Sequence, residues 1–170
     1  MKRTLLVTVL MAAAMGTAYA QNGYGHIQAG VGMLYERGYD LTLAYEHEGR
    51  HHNAWEYFVN GYIKWDDCPD CGHVCPESFW NNYRTWSVGI AYKPCVSRGR
   101  NNHGNLRIGA SAGSNTNDFL GGFHVGYEHS YALRKGWQLY WQAKCDLLVP
   151  NKEDLFRTGI VLGFKIPTGK

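Results

Sequence analysis

An alternation of apolar and polar side chains with a period of two recurs in eight segments between residues 24 and 166, separated by turn-forming residues. Successive side chains of a strand point to opposite faces, so this period marks a half-buried strand rather than a helix. The first segment, about 24–34, sets Ile27, Ala29, Val31 and Met33 against His26, Gln28, Gly30 and Gly32. The second, about 39–47, sets Tyr39, Leu41, Leu43 and Tyr45 against Asp40, Thr42, Ala44 and Glu46. In the third, about 54–65, Trp55, Tyr57, Val59, Ile63 and Trp65 oppose Glu56, Asn60 and Lys64, while Phe58 and Tyr62 interrupt the polar face. The remaining five lie at about 83–93, 105–112, 119–129, 137–147 and 157–166.

Most of these segments approach the length of about 9–11 residues that a tilted strand needs to cross a bilayer. Their number is even, as in bacterial single-chain barrels. No apolar run after residue 20 is long enough for a spanning helix, so a membrane location requires closure into a barrel, where every backbone group is paired without water. The pattern predicts an all-β fold: an eight-stranded antiparallel up-and-down barrel of outer-membrane type. If both termini are periplasmic, the longest stretch without strand character, 66–82, is an external loop.

Alternation does not say which face meets lipid, because a soluble barrel is apolar inside and a membrane barrel apolar outside. The polar face here is rich in Gly, Ala and Ser, which suit a narrow crowded lumen. Trp55, Trp65, Tyr92 and Trp137 fall near segment ends, where rings favour the lipid–water interface. Composition agrees: 18% charged residues, 14% aromatics, 21 Gly and a mean hydropathy of −0.38. The inside-out assignment turns Asp40, Glu46, Glu56, Lys64, Arg107, Glu128, Lys144, Asp146, Arg157 and Lys165 inward. Mixed in sign, they are read as pairs that hold the barrel together rather than as a transport path.

The first residues read as a secretory signal. Lys2 and Arg3 precede an uncharged apolar run from Leu5 to Ala14, and Ala18-Tyr19-Ala20 offers a cleavage site before Gln21. The division is therefore 1–20 signal peptide and 21–170 barrel domain, exported to the outer membrane of a Gram-negative bacterium. No Cys follows the cleavage site, which argues against a lipoprotein. Losing Lys2 and Arg3 takes the net charge from +3 to +1. A near-neutral chain without a basic block argues against direct nucleic-acid binding.

Five cysteines are present, and three crowd the long loop as Cys68-Pro-Asp-Cys71-Gly-His73-Val-Cys75. Cys68, Cys71, His73 and Cys75 could supply four zinc ligands. Disulfides or free thiols are the preferred reading for an exported loop, and no metal or other cofactor is assigned. Cys145 is placed on the apolar face of the seventh strand and Cys95 in a periplasmic turn. His51, His52 and His103 are placed in periplasmic turns, His26 and His124 on the interior face. No nucleophile, base and acid group at one rim, so no catalytic residue is assigned and the chain is read as not an enzyme.

From Trp55 to Ile166 the chain resembles the TraO family of conjugative-transposon proteins of Bacteroidetes. The resemblance rests on Arg107-Ile-Gly-Ala-Ser-Ala-Gly113, Asp118-Phe-Leu-Gly-Gly122 and the ending Asp154-Leu-Phe-Arg-Thr-Gly-Ile-Val-Leu-Gly-Phe-Lys-Ile-Pro167. The signal ending Ala18-Tyr19-Ala20-Gln21 and the Gly-rich first strand Ile27-Gln28-Ala29-Gly30-Val31-Gly32 accompany them. It implies a structural or docking component of a conjugative DNA-transfer apparatus, with outer-membrane lipid and other envelope proteins as partners and no small-molecule substrate. It supplies no catalytic or ligand residues. The alternative is a general adhesion or envelope-stabilising barrel; a barrel enzyme ranks below both. Many outer-membrane barrels end in an aromatic residue, whereas this chain runs six residues past Phe164, so the usual assembly signal is expected to be altered or absent.

Overall fold

The structure, a computed structural model, describes residues 24–35, 38–64, 72, 84–115, 118–150 and 155–168. The strands are β1 (Tyr24–Leu34), β2 (Gly38–Glu48), β3 (Ala54–Lys64), β4 (Arg84–Lys93), β5 (Cys95–Arg98), β6 (Asn102–Ser114), β7 (Phe119–Ala132), β8 (Gln138–Val149) and β9 (Phe156–Pro167). Apart from β4 and β5, neighbours in sequence pair antiparallel, and β1 pairs with β9 from His26↔Pro167 to Leu34↔Gly159, which closes the ring. Both β4 and β5 pair with β6, so together they form one wall strand and the barrel has eight. A closed ring leaves no edge amides to be hydrated, which is what lets strands cross a bilayer.

The predicted segments match these strands in number, order and face. Two corrections concern the end at which Tyr24 and Thr168 lie, the near end. Cys95 is not in a turn. Pro94 lacks an amide hydrogen and interrupts the ladder, but its carbonyl still accepts from the Leu106 amide at 3.0 Å, and pairing resumes through a bulge at Cys95/Ser97. The turn comes later, where the Gly99 amide donates to the Asn102 carbonyl at 2.8 Å. His103 is likewise not in a turn; it lies in β6, opposite Ser130 of β7, with its side chain buried inside.

The apolar face points outward as expected. Val31, Leu41, Leu43, Val59, Ile108, Val125, Ile160 and Leu162 form an exposed aliphatic belt around the middle of the wall. Aromatic rings flank it: Tyr24, Trp55, Tyr92, Tyr131 and Trp137 towards the near end, Tyr35, Tyr39, Trp86, Phe119 and Phe156 towards the other, the far end. An aliphatic band between two aromatic girdles is the surface that a hydrocarbon slab with two wet interfaces selects. Of the expected girdle residues, Trp55, Tyr92 and Trp137 take this position and Trp65 lies outside the described residues. Cys145 also faces outward, half-buried on β8.

Candidate functional site

Inward positions of an eight-stranded ring are crowded, and polar atoms placed there must find partners inside the protein. Towards the near end, Lys93 enters from β4, Arg107 from β6 and Lys165 from β9, and they meet Glu46 of β2, Glu56 of β3 and Glu128 of β7. Lys93 Nζ lies 2.6 Å from Glu46 Oε2 and 2.7 Å from Glu128 Oε2, and also touches Glu56. Lys165 Nζ lies 2.7 Å from Glu46 Oε1 and 2.7 Å from Glu128 Oε1. Arg107 Nε donates to Glu56 Oε1 at 2.8 Å, and Gln28 Nε2 donates to Glu46 Oε2 at 2.6 Å. Three cations face three anions, all buried. Removing one ion from water costs several kcal/mol, and a dry cluster holds only when its charges balance and its hydrogen bonds are met.

A second cluster lies deeper, towards the far end. Lys144 Nζ bridges Asp40 Oδ2 at 2.7 Å and Asp146 Oδ2 at 2.9 Å. Asn60 Nδ2 donates to Asp40 Oδ2 at 2.8 Å and to Thr42 Oγ1 at 2.9 Å. The two aromatic residues that interrupt the polar face of the third strand belong here. Arg107 lies over the Phe58 ring, 4.4 Å from its centroid, and Arg157 over Tyr62 at 3.9 Å. Stacking a guanidinium on a ring face recovers part of its lost hydration. Arg157 Nη1 also donates to Thr85 Oγ1 at 2.8 Å. Nine of the ten charged residues predicted to point inward are buried there; Lys64, at the end of β3, is half-buried.

The structure also joins Ser111, His124 and Asp146, which sequence reasoning did not group. Asp146 Oδ1 lies 2.7 Å from His124 Nδ1, and His124 Nε2 lies 2.6 Å from Ser111 Oγ. That order of acid, imidazole and hydroxyl is the one hydrolases use. The surroundings are those of a packed core instead. The cavity beside His124, bounded by Phe58, Asn60, Arg107 and Lys144, measures about 10 Å³, enough for one water and no acyl substrate. A depression of about 530 Å³ at the far end of β1–β4 is lined mostly by outward-facing residues such as Val31, Leu41, Ile63 and Trp86, and belongs to the lipid-facing wall.

Of the histidines, His26 and His124 are interior as expected, and His51 and His52 stand in the turn after β2. The candidate ligands Cys68, Cys71, His73 and Cys75 lie outside the described residues. Tyr140 fills the lumen between Gly30 and Gly163: a Cβ on Gly30 would lie 2.3 Å from its hydroxyl, and one on Gly163 2.7 Å from its ring.

No family model and no curated protein matches the chain. Its fold is similar to the crystal structure of a major outer membrane protein from Thermus thermophilus, with a TM-score of 0.55 and 10% identity over 86% of this chain and 100% of that one. A de novo designed transmembrane β-barrel aligns over 86% of this chain and 96% of its own, with a TM-score of 0.47 and 11% identity. At such identity the first likeness speaks of fold alone. With an aliphatic belt outside, aromatic rings at both ends and ion clusters inside, the chain has the fold of an outer-membrane β-barrel.

Proposed function

We propose that the chain is a sealed outer-membrane barrel with a structural or docking role in the envelope part of a conjugative DNA-transfer apparatus, and that it is neither a pore nor an enzyme. The observation that supports this reading is the packed lumen: among the described residues, Lys93, Lys165 and Arg107 are held against Glu46, Glu56 and Glu128 across the inside of the ring. A barrel whose lumen is packed in this way acts through its lipid-facing wall and its loops. The resemblance to the TraO family, carried by the Gly-punctuated strands and the ending Lys165-Ile-Pro167, supports transfer as the process it serves. Residues 1–20 then act as the export signal.

The test is deletion of the gene in a conjugative donor, with complementation. Loss of DNA transfer with an intact envelope supports docking in the transfer complex. Unchanged transfer with altered envelope integrity or surface binding overturns it in favour of a general adhesion or envelope-stabilising barrel.

A further inference from the structure

Three residues at the near mouth belong to neither lumen cluster, and a fourth, His26, lies close to both Glu46 and Glu48. Glu48 ends β2, His52 stands in the turn that follows, His103 lies at the start of β6 and His26 near the start of β1. A carboxylate oxygen of Glu48 and ring nitrogens of His52 and His103 all lie within 4.8 Å of one another. The rings of His52 and His103 face each other, with centroids 4.6 Å apart and planes inclined by 13°. His52 Nδ1 touches Glu48 Oε1.

The backbone is bent to bring His52 there. His51 and His52 both have left-handed φ, 73° and 61°, a region that residues with a Cβ seldom enter and that tends to mark functional sites. Two side chains hold the turn: Asn105 Nδ2 donates to the His52 carbonyl at 2.6 Å, and Arg98 Nη2 to the His51 carbonyl at 2.7 Å.

His26 supplies an independent observation. It is 4% exposed, and its Nδ1 has no hydrogen-bond partner among the described residues. That nitrogen faces Glu48 Oε2 from 3.7 Å. A buried ring nitrogen left unsatisfied is costly, so its placement against this carboxylate calls for an explanation.

We propose that Glu48, His52 and His103 bind a divalent transition-metal ion of the zinc type, with His26 as the residue that orients Glu48. Two imidazoles and one carboxylate with a fourth position open to water form a zinc donor set, whereas Mg²⁺ and Ca²⁺ take oxygen ligands. Bonds of about 2.1 Å in a tetrahedron separate donors by about 3.4 Å. His52 is half-exposed on its turn and supplies the movement that brings the set to that spacing. When Glu48 ligates through Oε1, its Oε2 is left for a donor, and the His26 Nδ1–H provides one, the usual outer-shell support of a ligating carboxylate. The ion would clamp the turn after β2 to β6 across the mouth.

The test is Zn²⁺ titration by calorimetry of the full chain, folded in detergent without a histidine tag, beside a Cys68→Ser/Cys71→Ser/Cys75→Ser variant that removes the loop thiols. One Zn²⁺ per chain in both, with no heat from Mg²⁺, is the expected result. His52→Ala, on an exposed turn, and His103→Ala should each weaken binding at least about 100-fold. His26→Ala should cost about 10- to 100-fold as an outer-shell loss. A heat-dependent shift in gel migration establishes that each variant is folded. Absence of Zn²⁺ binding in the triple-serine variant, or undiminished binding in His52→Ala, overturns the site. Neither result bears on the docking role, which does not use the metal.

Discussion

Lys93 joins three strands other than its own, reaching Glu46, Glu56 and Glu128 while wholly buried. Replacing it with Met strands three carboxylates around two remaining cations. Lys93→Met should cost about 3–5 kcal/mol, measured as the loss of unfolding free energy in urea for the barrel folded in detergent. Adding Glu128→Gln should recover part of that cost, because the pair shares one network and the effects do not add. Ser111→Ala should cost only about 1 kcal/mol in the same assay, the value of one buried hydrogen bond to His124. The sequence shows Lys93 on the polar face of the fourth strand. It does not show that its partners sit on β2, β3 and β7, because periodicity reports the face of a residue and not its neighbours across the ring. For the same reason Ser111, His124 and Asp146 read as three unrelated interior positions, and Glu48, His52 and His103 were not grouped at all.

At the level of the strand, alternation was legible wherever one face is apolar and failed where polar residues occupy both. β7 runs to Ala132 rather than stopping near 129, since His129 lies on the outward parity and Ser130 inside. The outward His129 keeps its place through its Nδ1, 3.0 Å from the Tyr127 hydroxyl. β6 starts at Asn102 rather than near 105 for the same reason, because Asn-His-Gly-Asn carries no apolar side chain. Phe58 and Tyr62 look like flaws in the third strand until the guanidiniums above them are seen. The strand is also the scale at which lipid exposure is tested. Leu162→Arg in the middle of β9 should destabilise the barrel in lipid by about 2–4 kcal/mol, and Tyr24→Arg in the near girdle by no more than about 1 kcal/mol. Equal costs at the two positions would contradict the placement of the belt.

For the molecule as a whole, the ring and its contents predict two behaviours together. The folded barrel should migrate on gels at a different apparent size until heated, and reconstituted into a planar bilayer it should give no steady stepwise conductance. A stable open level would show that the ion clusters do not seal the lumen. The ring was legible from the count and length of the alternating segments. The packing of the lumen was not, because it depends on Tyr140 fitting between Gly30 and Gly163 and on charges meeting across the ring.

The seam between the first and last strands governs how the chain can be made. His26 finds its partner in Pro167, and Leu34 in Gly159, so one side of β1 stays unsatisfied until β9, more than a hundred residues later, has been synthesised. Domain-by-domain maturation behind the ribosome is closed to such a molecule. Bringing together residues so distant in sequence is also a slow step in folding. During that interval the apolar side chains of the strands that come before β9 have no closed wall to belong to. A frameshift that removed Phe156–Pro167 would orphan the first strand as surely as it deleted the last.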